Sequence, residues 1–200
     1  MRSPLLLGLL FLALAPGPAA ARELGAYQRP ALRQAIAKLT HDAIWAHVKH
    51  LPAPSPAADL GSPAGVFVTI SKDGVTRGCW GTVAPRSGSL GAELAANAVK
   101  ALSHDYRQQP IQPRELAGLV AHVSVVGELE PVDGPADLQP RKFGLLVSGG
   151  GKGGVLLPGE AATATWQVAT CRRKAGLKPR DHARLYRFET AVVGPITLAE

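Results

Sequence analysis

The chain has 200 residues, 22 of them basic and 15 acidic, and a formal charge of +7. That length fits one ordinary domain or two small halves, and two cysteines are too few for a disulfide-built scaffold. The basic balance would attract acidic small molecules, anionic lipid or nucleic acid, while no Cys/His spacing suggests a structural zinc site.

The first residues read MRSPLLLGLLFLALAPGPAAARELG. A basic start, an apolar run from Leu5 to Leu14, the breakers Pro16 and Pro18, and small residues ending at Ala21 make the pattern of a secretory signal peptide. The run is about half the roughly 20 residues that a bilayer span needs, which argues against an uncleaved anchor. No later apolar segment is long enough to span. We therefore expect residues 1–21 to be a leader, and the mature chain to be exported to the periplasm or beyond with no stable membrane span. Export makes nucleic acid an unexpected partner. It also permits a disulfide between Cys79 and Cys171, although sequence alone does not bring two sulfurs within bonding distance.

Downstream, Leu32, Ile36, Leu39, Ala43 and Ala46 recur at steps of four and three, one apolar stripe of a helix that starts after Pro30. Residues 51–64, rich in Pro, Ala and Ser, read as a loop. Two β-rich runs in GVFVTISKDGVTRGCWGTV flank Asp73-Gly74. That pair is a two-residue hairpin signal, because a type I′ turn needs positive φ at both central positions. Leu90, Leu94, Ala98 and Leu102 mark a second helix, and LVAHVSVV from Leu119 a buried strand.

The same order then recurs. FGLLVSGGGKGGVLLP reads as a hairpin with a long glycine-rich tip, and RLYRFETAVV as one closing strand. Between them AATATWQVATCRRKAG reads as a helix with Arg172, Arg173 and Lys174 in its last turn and Gly176 as terminator. Hairpin–helix–strand thus occurs twice, at approximately 65–126 and 143–193. Neither copy can bury both faces of its hairpin alone, whereas two halves sharing one sheet can. The expected fold is α+β: a single curved, largely antiparallel sheet built from the two repeats, with flanking helices.

The runs GVFVTISKDGVTRGCWGT, PREL, VSVV, GVLLP, KAGL and LYRFE, in this order from about Tyr27 to Val193, resemble the AMMECR domain family. The family's Arg-Gly-Cys-X-Gly run stands as Arg77, Gly78, Cys79, Trp80 and Gly81. The resemblance implies a doubled α+β architecture around a barrel-like sheet over residues 22–200, and a cleft near that run as the site. It implies no settled reaction and no known cofactor. Bacterial and archaeal members are often encoded beside Memo-like and radical-SAM proteins, so a Memo-like protein partner is implied as well. This chain departs from the family in its expected export and in Trp80, where a small aliphatic residue is usual. The Asp-X-Arg-Phe element also stands as Asp105, Tyr106, Arg107 and Gln108, without its phenylalanine.

A two-residue turn at Asp73-Gly74 pairs Ile70 with Arg77, Val68 with Cys79 and Phe67 with Trp80. Arg77 and Cys79 then share one face, where the guanidinium can lower the thiol pKa. Asp105 and Arg107 follow a helix and can bind or protonate a substrate, or form an ion pair that fixes the loop. The candidate catalytic residues are therefore Cys79, Arg77, Asp105 and Arg107, around a small-molecule cleft. No metal or cofactor ligand is assigned. The alternative is a non-catalytic binding or scaffold module in which the same residues build the sheet. A weaker one is metal handling by His41, His47 and His50 on the first helix. The stretch SGGGKGG resembles a phosphate cradle in composition but lacks the ending and strand-to-helix setting of a P-loop.

Overall fold

Pro30 opens the first long helix, α1 (Pro30–Val48), at a position where its missing N–H would have had no partner in the helix. The computed structural model describes residues 24–55, 59–105 and 108–200. The expected leader, residues 1–21, and the candidate site residue Arg107 fall outside them. The stripe expected on α1 is its inner face: Ile36, Leu39, Ala43 and Ile44 are buried.

The first hairpin is β1 (Val66–Lys72) and β2 (Val75–Thr82), joined by Asp73 at φ 49° and Gly74 at φ 79°, as its type I′ chemistry requires. Helix α2 (Leu90–Ser103) follows, its first turn capped by the Ser89 hydroxyl accepting from the Ala92 N–H. Then come β3 (Val120–Val126) and the short β4 (Glu130–Val132). The second hairpin is β5 (Gly144–Gly149) and β6 (Lys152–Leu156). Helix α3 (Ala164–Lys174) starts at a Thr163 cap and stops before Gly176, at φ 65°. Strands β7 (Arg184–Phe188) and β8 (Thr190–Thr197) close the chain.

The strands form two four-stranded antiparallel sheets, β2-β1-β3-β8 and β4-β7-β5-β6, neither closed into a barrel. This corrects the expectation of one shared sheet. The reason lies at Glu189, which divides the run read as one closing strand. β7 pairs within the second sheet, while β8 crosses to pair with β3 in the first. The first half does the reverse, sending β4 across to pair with β7. Each half thus builds hairpin, helix and strand into its own sheet and lends a fourth strand to the other. The glycine-rich tip is also shorter than expected: only Gly150 and Gly151 form the turn, both at positive φ, and Gly149, Gly153 and Gly154 belong to the strands.

Helices α1 and α2 cover one face of the first sheet in the larger core, with Val66, Val68 and Ile70 sealed beneath them. Helix α3 covers the second sheet over Leu145, Val147 and Leu156. A third cluster joins the sheets: Val126, Leu157 and Phe188 are buried, with Phe67, Leu146 and Val155 packed on them.

Candidate functional site

The register of the first hairpin decides what its side chains can do. It begins as expected at Lys72↔Val75 and Ser71↔Thr76, but then slips, and Ile70 lies opposite Gly78. Arg77 is the extra residue of a β-bulge. Every later pair moves by one, so Thr69 faces Cys79, Val68 faces Trp80 and Phe67 faces Gly81. The expected Val68–Cys79 and Phe67–Trp80 pairs do not form.

The glycines of the motif explain the slip. A Cβ at Gly78 would lie 2.2 Å from the carbonyl oxygen of Ala101, so this position is where α2 rests on β2. A Cβ at Gly81 would lie 2.5 Å from the ring of Phe67, which covers it from the cross-strand position. Both glycines are packing residues. With Gly78 turned to the helix, Trp80 also faces that side and meets His104 edge-on, with ring centroids 5.6 Å apart. Cys79 takes the other face.

There Cys79 is half-buried, and its Sγ lies 3.3 Å from the Thr69 hydroxyl. Its N–H donates to Oδ2 of Asp105 at 3.1 Å, which places this buried carboxyl beside the motif. Both residues line a cleft of about 540 Å³ between the sheets. Phe67, Val83, Leu146 and Val155 supply its apolar surface, and Arg86 and Lys174 its cations.

Arg77 does not line this cleft. Its Nε and one terminal nitrogen donate to the two carboxylate oxygens of Glu115, at 3.1 and 3.3 Å, and its other terminal nitrogen donates to the Gln109 carbonyl at 2.7 Å. Glu115 in turn accepts from the Gln112 N–H at the start of the 3₁₀ turn Pro113–Gly118. That backbone bond, against some burial, together with the Arg77 charge holds the Glu115 carboxyl below its usual value of 4.5. The structure thus brings Cys79 and Asp105 together and commits Arg77 elsewhere.

Cys171, on the inner face of α3, is fully buried, and its thiol donates to the Leu145 carbonyl at 3.4 Å. Burial pushes that thiol up to about 12, despite the nearby Lys174 charge. It is not bridged to Cys79.

Glu93, Arg86 and Lys174 were not singled out as site residues by the sequence. Glu93 is buried in the first turn of α2, and its carboxylate accepts from the Thr82 hydroxyl at 2.9 Å and from the N–H groups of Arg86 and Ser87 at 2.9 and 2.8 Å. Burial raises its pKa, and these bonds more than offset that, holding it below 4.5. Glu93 thereby fixes the 83–89 loop that forms one wall of the cleft. The available signal was an acid set among Leu90, Leu94 and Asn97 on the inward side of a helix. Lys174 reads in sequence as a dipole-matching base, but its Nζ reaches back over β6 to the Val155 carbonyl at 2.6 Å. Behind Trp80 lies a smaller recess of about 140 Å³ over Glu93 and Asn97, with Lys100 and Arg86 also lining it. Among the described residues no three His, Cys, Asp or Glu side chains gather as metal ligands, and no helix is long and apolar enough to cross a membrane.

Comparison with known proteins follows the same residues. The AMMECR1 family model matches residues 31–193, a span that holds the motif, the bulge and every cleft residue named above. The chain belongs to the AMMECR1 family. A Thermotoga maritima protein is 39% identical over 129 residues, covering 62% of this chain and 74% of that one. A Methanothermobacter thermautotrophicus protein is 34% identical over 176 residues, covering 78% and 91%. The crystal structure of an uncharacterized protein from Pyrococcus horikoshii superposes with a TM-score of 0.73 at 26% identity, covering 81% of this AMMECR1-family chain and 90% of that one.

Proposed function

We propose that this AMMECR1-family chain is exported after loss of residues 1–21 and binds a small molecule in the cleft between its sheets, with the Cys79 thiol presented to that ligand. The observation that carries this reading is the cleft itself. Its volume, about 540 Å³, falls within the roughly 300–1,000 Å³ of small-molecule sites, and its lining combines apolar walls with a few charged groups. Cys79 and Asp105 are the residues we place at the ligand. Arg77 has a supporting part: its paired bonds to Glu115 tie the bulge of β2 to the 3₁₀ turn. The equal strand order of the two sheets, and the matching approach of Ala101 to Gly78 and of Cys171 to Gly154, support reading the halves as an internal duplication.

Native-state alkylation tests the site. Iodoacetamide at neutral pH is expected to add one carbamidomethyl group to the folded protein, at Cys79, and none to Cys79→Ser. Resistance of Cys79 until unfolding would overturn the presentation of its thiol. Export is read from the intact mass of protein taken from its native host, with a mature start near Arg22 as the expected result.

A further inference from the structure

The backbone around the cleft specifies the chemistry of its ligand, given the reading of the cleft as a binding site. β2 and β6 are each the end strand of their own sheet, and both line the cleft. An end strand leaves half of its N–H and C=O groups without a neighbouring strand.

The turns say which groups these are. Beyond the two-residue turn Gly150-Gly151, Gly149 and Lys152 form the hydrogen-bonded pair, so Gly153 and Val155 direct their backbone groups away from β5. Lys174 reaching the Val155 carbonyl from outside agrees with that count. On β2, the Cys79 N–H bonds to Asp105 outside the sheet, so Gly81, two residues on, faces outward too. Among the described residues nothing bonds to Gly81 or Gly153 on that side. Neither carries a side chain to block an approach.

We propose that the cleft takes a short extended peptide with a free carboxylate. Its amide groups pair with the open backbone of Gly81 and Gly153, as an added strand pairs with a sheet edge. Its carboxylate meets Lys174 and Arg86. The Lys174 ammonium is positioned by one bond to Val155 and keeps two further protons to donate. Asp105 is the one acid among the described lining residues, against the two cations Arg86 and Lys174, so the cleft favours an anion. Phe67 and Leu146 offer apolar surface to the peptide's side chains.

The probe is N-acetyl-alanyl-valine, with its C-terminal amide as control, titrated into ¹⁵N-labelled full-length protein. The amide resonances of Gly81 and Gly153 are expected to shift with a dissociation constant on the order of 1 mM. The amide control is expected to bind about tenfold more weakly, the ratio for losing a charge-assisted contact. Lys174→Met, or Arg86→Gln as a second variant, should reduce that preference while leaving the remaining spectrum in place. Glycine resonances that stay fixed with the acid overturn the proposal, and equal affinity for acid and amide overturns its carboxylate. Native alkylation of Cys79 reports on the cleft separately. A reactive Cys79 beside unmoved Gly81 and Gly153 therefore removes the peptide assignment alone.

Discussion

Gly78→Ala tests whether the motif glycine serves the fold. Its φ is not in the left-handed region, so alanine is allowed by the backbone and would even gain about 0.4–1 kcal/mol by restricting the unfolded chain. The opposing effect is steric. The new Cβ would sit 2.2 Å from the Ala101 carbonyl oxygen, about 1 Å inside an ordinary contact, and the atom it meets is helix backbone that cannot rotate away. Helix α2 cannot lift freely either, because Leu94, Ala98, Ala101 and Leu102 are buried beneath it. Overpacking of this kind costs about 1–3 kcal/mol, so after that gain the net loss should be about 1–2 kcal/mol. For a chain of this length that lowers Tm by about 2–8 °C. The assay is thermal and urea unfolding followed by far-UV circular dichroism. Gly153→Ala is the control, since its Cβ would make only ordinary contacts, with the tip of Leu146 at 3.4 Å and the Val147 carbonyl oxygen at 3.8 Å, and its Tm should stay near wild type. A Gly78→Ala variant melting within about 1 °C of wild type would refute the packing argument.

Three further outcomes follow from the same geometry. Glu93→Gln replaces an acceptor oxygen by an amide facing N–H donors, and should cost about 2–3 kcal/mol in urea unfolding at neutral pH. Because the folded Glu93 pKa is depressed below 4.5, that loss should be full above the unfolded value and fade as pH falls through the folded one. Arg77→Ala breaks a partly exposed pair and should cost about 1 kcal/mol, while leaving the pH dependence of Cys79 alkylation unmoved; a shift to higher pH would return Arg77 to the thiol. Cys171, with its thiol raised to about 12, should remain unmodified by iodoacetamide in the folded protein at alkaline pH, as read by peptide mass spectrometry.

Much of the architecture was legible from local chemistry. Pro30, Asp73-Gly74, Gly176 and the apolar stripes act within a few residues of themselves, and the helices and hairpins stand where they were expected. What escaped depends on contacts distant in sequence. Nothing within RLYRFETAVV marks Glu189 as the point where one strand passes between sheets, because each side of it is a sound strand. The bulge at Arg77 was hidden for a similar reason. The turn fixes a register, and only the approach of Ala101, some twenty residues on, forces the slip that turns Gly78 towards the helix. That one-residue slip separates Arg77 from the cleft and gives Cys79 its neighbours. Lys174 matches the helix dipole in sequence, and its reach to Val155 exists only once α3 lies on β6.

The exchange of strands also governs how the cleft can work. Its walls belong to different sheets, so neither sheet alone sets their separation. That task falls to the crossovers, which are short: residues 127–129 join β3 to β4, and Glu189 alone joins β7 to β8. The two crossovers are bonded to each other, Gly127 donating to the Glu189 carbonyl at 2.9 Å. Val126 and Phe188, the last residues before each crossing, are buried against Leu157 in the cluster that joins the sheets. Opening the cleft like a hinge would have to break that bond and expose that cluster, an apolar cost of about 1.5–3 kcal/mol for each large side chain uncovered. The walls are therefore preformed, which limits the ordering that binding must supply. The selection of a ligand falls to groups fixed on those walls and to the 83–89 loop, whose Arg86 and Ser87 N–H groups are held by the buried carboxylate of Glu93.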